Sequence, residues 1–222
     1  MTGVWLRPRR TSRTGPPLSR ERIVAEAVAL LDAEGVEGLT MRRLAQRLDA
    51  GPTTLYWHVS AKEDVVDLAL DQIFGEVRLP ADAGDWADDV RALLTGWRAA
   101  MVRHPWSAAL IGRPLLGPNV LTRTEHLQAA LRRGGLVEPH LGAATHALAN
   151  YVIGAALTHA TWQQLDDPEA RHAAREHLAG QRDTYPTLVE HGHLDDRDWD
   201  ETFDHGLTYL LDGIRGHIRS PC

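Results

Sequence analysis

The chain has 222 residues, 43% of them hydrophobic, enough for one or two domains with a real core. Its one cysteine, Cys222, excludes a disulfide framework and a cysteine-based zinc site, and a terminal RSPC is not a prenylation box. A net charge of −6 argues against a nucleic-acid partner, but the distribution reverses that: residues 1–60 carry nine Arg against six acids, and residues 61–222 carry 15 basic against 24 acidic residues.

Residues 1–18 place Arg7, Arg9, Arg10 and Arg13 among Pro, Gly, Ser and Thr. They hold no apolar run, so no signal peptide is expected. They read as a disordered Arg-rich arm, either a solvated tail or one able to reach phosphates or a minor groove. The spacing then predicts a helix capped by Ser19, with Ile23, Val24, Ala27, Val28 and Leu31 inward. Leu18 and Ile23 stand at the positions of a hydrophobic staple, and Gly35 is the expected stop.

Residues 40–62, TMRRLAQRLDAGPTTLYWHVSAK, hold two short helical patterns joined by Asp49-Ala50-Gly51-Pro52. Thr40 caps the first pattern, and Met41, Leu44, Ala45 and Leu48 keep the i, i+3, i+4, i+7 spacing of a buried face. Pro52 opens the second, in which Leu55 and Val59 pack inward. Thr53, Thr54, Trp57 and His58 are left facing out. Two crossed helices with a short turn form the helix-turn-helix that lays its second helix in the DNA major groove. A third helix, over 61–77, is expected to open on a capping box, Ser60-x-x-Glu63.

The rest is also helical: 86–103, 118–133, 139–165 and 199–218. Leu141, Ala144, Ala147, Leu148, Tyr151, Val152, Ala155, Ala156 and Leu157 cover most of the circumference of the 139–165 helix. A helix apolar nearly all round is buried on several sides, and a second subunit is the expected cover for one of them. The last helix carries Phe203, Leu207, Leu210, Leu211, Ile214 and Ile218. The expected dimer interface is Leu148, Tyr151 and Val152 with Leu207, Leu210, Leu211 and Ile214. The longest near-apolar run, Ala147–Leu157, has 11 residues, whereas a membrane span needs about 20. The chain is therefore read as cytoplasmic, with no membrane partner.

Polar or aromatic groups set in apolar helix faces mark the expected small-molecule site: Trp97, Met101, Trp106, Asn150, Thr158, His159 and Trp162. Other chemistry fares worse. His191-Gly192-His193 with Asp195 and Asp196 has metal-binding spacing but reads as a solvated loop. Glu169, His172 and Glu176 share one helix face, yet a carboxylate-bridged metal bundle needs Glu-x-x-His on two helices. No catalytic, Walker or dinucleotide motif is present. No metal, cofactor or enzyme activity is expected.

The run from Leu39-Thr40 through Leu44-Ala45, then Thr54-Leu55-Tyr56-Trp57-His58-Val59 and Lys62, resembles the tetracycline-repressor family of bacterial transcription regulators. Asp49 departs from the family's usual Gly at the first turn position; Asp tolerates a left-handed backbone, and Gly51 is placed to share the strain. The resemblance implies Arg42, Thr54 and Trp57 toward base edges, and Thr40, Tyr56, His58 and Lys62 toward phosphates. Arg43 and Thr53 are further candidates on the same face. The stretch 203–214 resembles the family's final helix, implying a four-helix bundle between two subunits. The family's tetracycline–magnesium site does not carry over: its first His falls near Val77–Arg78 and its Glu at Thr158, neither a suitable ligand.

The chain is thus expected to be all-α, with the arm at 1–18, a three-helix DNA-binding unit at 19–65 and a helical ligand-binding and dimerisation domain at 66–222. The function expected is a ligand-responsive repressor binding a palindromic operator as a homodimer. The alternatives are an activator or co-repressor-dependent regulator, and a small-molecule-binding protein or enzyme with a vestigial head.

Overall fold

The computed structural model describes residues 18–81, 84–111, 115–164, 167–192, 194–195 and 198–219. The expected arm, apart from Leu18, lies outside the described residues, as do His193, Asp196 and Cys222. Among the described residues the chain forms ten α-helices and no strand.

Ser19 accepts a hydrogen bond from the Arg22 amide and opens α1, Arg20–Gly38. This helix breaks at Gly35 (φ 68°), a backbone conformation that favours glycine. Thr40 accepts from the Arg43 amide and opens α2, Met41–Arg47. Asp49 takes the left-handed turn at φ 50°. Gly51 does not share that strain: its φ is −68°, and it serves as the extended N-cap of α3, Pro52–Tyr56. Leu44, Ala45, Leu48, Leu55 and Val59 are buried in one core with Leu18, Ile23 and Leu31.

The next helix, α4, spans Lys62–Gly75. The expected capping box is displaced by one residue: Ala61 is the N-cap, and Asp64, not Glu63, reaches back to accept from the Ser60 amide at 2.9 Å. Asp64 stands at N3, one residue beyond Glu63, and is buried where Glu63 is exposed. α4 runs unbroken through residues 65 and 66, so it belongs to both the head and the body. It packs on α1 and α6 and contacts α5.

The body holds α5 (Trp86–Arg103), a 3-10 turn (Ala108–Leu110), α6 (Pro118–Arg133), α7 (His140–Gln164), α8 (Pro168–Ala179), α9 (Pro186–Glu190) and α10 (Trp199–Arg219). α7 packs on α5, and α10 on α7. The α8–α9 excursion buries no residue in the chain itself.

Two helix ends satisfy each other. Asp71 of α4 accepts from the Val120 amide at the start of α6 and from Asn119 Nδ2, each at 3.0 Å. Arg123 of α6 donates to the Gly75 carbonyl (2.9 Å) and twice to the Val77 carbonyl (3.0 and 2.6 Å), the orphan acceptors where α4 ends. Burial pushes the Arg123 guanidinium below its ordinary value, partly offset by Asp71. Gly117 makes room for this approach, since a Cβ there would stand 2.1 Å from Asp71 Oδ1. Arg123→Met leaves those carbonyls unpaired and should cost about 2–3 kcal/mol, read as a lower urea midpoint with little change in slope.

Candidate nucleic-acid interface

The head is built so that its shortest helix shows a continuous outer face. Leu55 and Val59 of the α3 segment are sealed in the core, which forces Thr53, Thr54, Tyr56 and Trp57 outward. Tyr56 is 47% and Trp57 57% exposed. A free tryptophan surface of that extent needs a partner, and thymine methyls and phosphates supply one. His58 is half-buried. Arg42 is exposed on α2 and, among the described residues, makes no ion pair. Thr40 is exposed but already holds the Arg43 amide.

Two expected contacts have other tasks. Arg43 pairs with Glu34 of α1, and Arg47 pairs with Glu26, so both side chains brace α2 against α1. Lys62 donates from Nζ to the Val36 carbonyl at 2.8 Å, closing the broken end of α1. Its remaining two donors stay available.

The seven expected small-molecule residues do not converge. Trp97 and Met101 lie in the core, with Trp97 edge-on to Phe74 of α4 at 5.7 Å. Trp106 is buried too, and its indole donates to Asp32 of α1 at 2.7 Å. Asn150 and Thr158 are exposed and line a groove of about 360 Å³ with Arg98, Tyr151, Trp199 and Phe203. His159 stacks on Trp199 at 5.2 Å, and Trp162 leans on the same ring. Sequence reasoning missed Arg98, which is buried, pairs with Asp200 and donates to His159 Nδ1 at 3.1 Å. It also missed Ser107. The Ser107 hydroxyl and Trp97 Nε1 are buried without a hydrogen-bond partner among the described residues. Periodicity gives no sign of Arg98, whereas a Ser between Trp106 and Ala108 in an apolar stretch was a visible signal.

The expected dimer interface is also divided. Leu148, Val152, Leu207 and Leu211 are buried within the single chain, so no surface is left on them for a partner. Tyr151 donates to the Phe203 carbonyl and stacks on that ring. Leu210 and Ile214 are half-buried, Tyr209 beside them on α10 is 74% exposed, and Leu157 is exposed on α7 near the other end of the pair.

Residues 23–69 match the family model described as bacterial regulatory proteins, tetR family, and residues 79–218 match that of the tetracyclin repressor-like C-terminal domain. The chain belongs to the tetracycline-repressor family. An HTH-type transcriptional regulator of Saccharopolyspora erythraea is 47% identical, covering 95% of this chain and 90% of its own. The HTH-type transcriptional repressor DrrR1 of Streptomyces coeruleorubidus is 35% identical over 95% of this chain and 83% of its own. The crystal structure of Streptomyces coelicolor ActR in complex with actinorhodin superposes with a TM-score of 0.82 at 31% identity, covering 91% of this chain and 99% of that one. The fold is thus that of a transcriptional regulator and not of an enzyme. No helix among the described residues is long and apolar enough to cross a membrane.

His159 offers a pH test of the body. Burial, then the Arg98 charge, holds its ring below the ordinary histidine value, against a smaller pull from Asp200. The unfolded chain therefore takes up this proton first, and stability should fall as pH drops below about 6.5. His159→Gln should flatten that part of the pH–stability curve, measured by thermal melts between neutral and mildly acid pH.

Proposed function

We propose that this chain is an effector-controlled repressor that binds a palindromic operator as a homodimer. The exposed α3 face carries the reading: Thr53, Thr54, Tyr56 and Trp57 are exposed, and Arg42, exposed on α2, has no ion pair among the described residues. Arg42, Thr54 and Trp57 are assigned to base edges, the guanidinium to guanine. Thr40, Tyr56, His58 and Lys62 are assigned to phosphates, with Thr53 and Arg43 at the margin. One such head reads too few base pairs for a specific site, and two heads on a symmetric dimer read a palindrome.

The dimer is assigned to the outer stripes of α7 and α10. Leu157, Leu210, Ile214 and Tyr209 lie there, and a Cβ at Gly154 or Gly213 would meet nothing within 4 Å. The groove lined by Asn150 and Thr158 continues that stripe at helical spacing, so it belongs to the subunit seam. The effector is assigned to the apolar core that holds Trp97 and Met101 of α5 and to the buried Ser107 turn after that helix. Two unpaired buried polar groups cost about 1–3 kcal/mol each, and a ligand that pairs them recovers this. The relative ActR is seen with actinorhodin bound, and DrrR1 is named a repressor; both favour a small-molecule effector and repression here. An effector that prefers the arrangement unable to bind DNA releases the operator by no more than its difference in affinity.

Gel shifts against the DNA upstream of its own gene test this reading, and absence of any specific shift would sink it. Arg42→Ala should cost about 1–3 kcal/mol at one base position and relax specificity there; an equal loss on operator and random DNA would remove its base-reading role. Tyr209→Asp should turn dimer into monomer in sedimentation at micromolar protein. A wild type that sediments only as monomer would overturn the interface. Trp97→Phe should weaken the effector response while leaving operator affinity unchanged.

A further inference from the structure

Head and body are joined by α4, but a second tie runs beside it. Asp32 sits on α1, in the head, with its side chain part-exposed. Its Oδ1 receives the Trp106 indole N–H at 2.7 Å and lies 2.7 Å from His104 Nδ1. His104 ends α5, and Trp106 precedes the 3-10 turn; both side chains are more than nine-tenths buried. On its other edge His104 Nε2 lies 3.3 Å from Glu76, the residue that ends α4, and Glu76 also pairs with Arg103. One carboxylate of the head is therefore held by two rings of the body, 72 and 74 residues away in sequence.

The head moves with α1 as one piece. Arg47–Glu26 and Arg43–Glu34 tie α2 to α1, and Lys62 ties the start of α4 to the end of α1. A single helix joining two bodies leaves rotation about its axis weakly restrained. A second attachment off that axis removes this freedom. From this we infer that Asp32, with Trp106 and His104, is a positioning cluster that fixes the angle of each reading head on the body, and so the half-site spacing the dimer accepts. The cluster contacts no DNA; it acts through α1 on α3. The turn from 104 to 110 also packs on α7 and carries the unpaired Ser107 hydroxyl. A shift of this turn thus reaches α1 without passing along α4. The inference rests on the proposed dimeric operator reading.

The test uses the full chain and an operator selected from random duplexes. Affinity is measured for that operator, for versions with one base pair added or removed between half-sites, and for an isolated half-site. The wild type should penalise the altered spacings strongly. Asp32→Ala and Trp106→Phe should keep half-site affinity but lower that penalty at least about fivefold, the lower end of ordinary coupling between sites. Asp32→Asn retains an acceptor oxygen and should keep more of the penalty than Asp32→Ala. Melting temperatures control for general loosening, as does Gly117→Ala, which disturbs the α4–α6 contact instead. If Asp32→Ala and Trp106→Phe keep the full penalty, or if Gly117→Ala lowers it as much at equal loss of melting temperature, the cluster does not set the head angle. A wild type indifferent to spacing overturns the inference too. A wild type that selects no DNA instead removes the operator reading on which it rests.

Discussion

The structure turns on the burial of α4. Val65, Val66, Leu68, Ala69, Leu70, Ile73 and Phe74 leave it little free surface, and Asp64 and Asp71 are buried with them. Both carboxylates are tolerable because they are hydrogen-bonded: Asp64 accepts the Ser60 amide, and Asp71 accepts the Val120 amide and Asn119 Nδ2. A helix so enclosed cannot shift without moving α1 at one end and α6 at the other. Interiors packed this closely transmit displacement instead of absorbing it. The reciprocal capping by Asp71 and Arg123 makes the α6 end of this linkage polar and directional.

The head itself shows why so short an element reads DNA. An isolated five-residue helix has no stability in water, because nucleation costs more than one turn returns. α3 exists because Pro52 presets its first turn and because Leu55 and Val59 anchor it from below. That anchoring leaves every other side chain of the helix free for a partner. Asp49 accepts a left-handed backbone to set the crossing of α2 and α3. The ion pairs of Arg43 and Arg47 with α1 spend positive charge on rigidity that a less constrained head would present to phosphate. The basic surface is smaller than the arginine count suggests, and Arg42 matters more for it.

In the body, one helix serves two surfaces. The inner stripe of α7, with Leu148, Val152 and Ala156, closes the core against α5. Its outer stripe, with Asn150, Gly154, Leu157 and Thr158, stays uncovered. Apolar residues lie on both, which is why the helix has almost no amphipathic bias. Arg98 is buried between α7 and α10, over the Phe203 ring, with Nη1 paired to Asp200 and Nη2 donating to His159. Such a cluster ties the start of α10 to α5 and α7 and sets where the exposed stripe of α10 faces.

The amino-acid sequence by itself determined whatever is decided within one or two helical turns. The caps at Ser19 and Thr40, the break at Gly35, the left-handed turn at Asp49 and the outward face of Thr53, Thr54 and Trp57 follow from local spacing and backbone preference. The family resemblance rests on the same short stretch, and for that reason the regulatory fold was legible early. Tertiary structure alone decided which apolar stripe of α7 and α10 is core, because periodicity marks a buried face without saying what buries it. It moved Leu148, Val152, Leu207 and Leu211 into the single-chain core and left Leu157 and Tyr209 outside. It gave the Trp106 indole a carboxylate 74 residues away and left that of Trp97 unpaired among the described residues. It shifted the cap of α4 from Glu63 to Asp64, since only the buried one of two adjacent acids needs the amide. Pairings of this kind depend on where a distant helix arrives, and no pattern within a single helix carries that information.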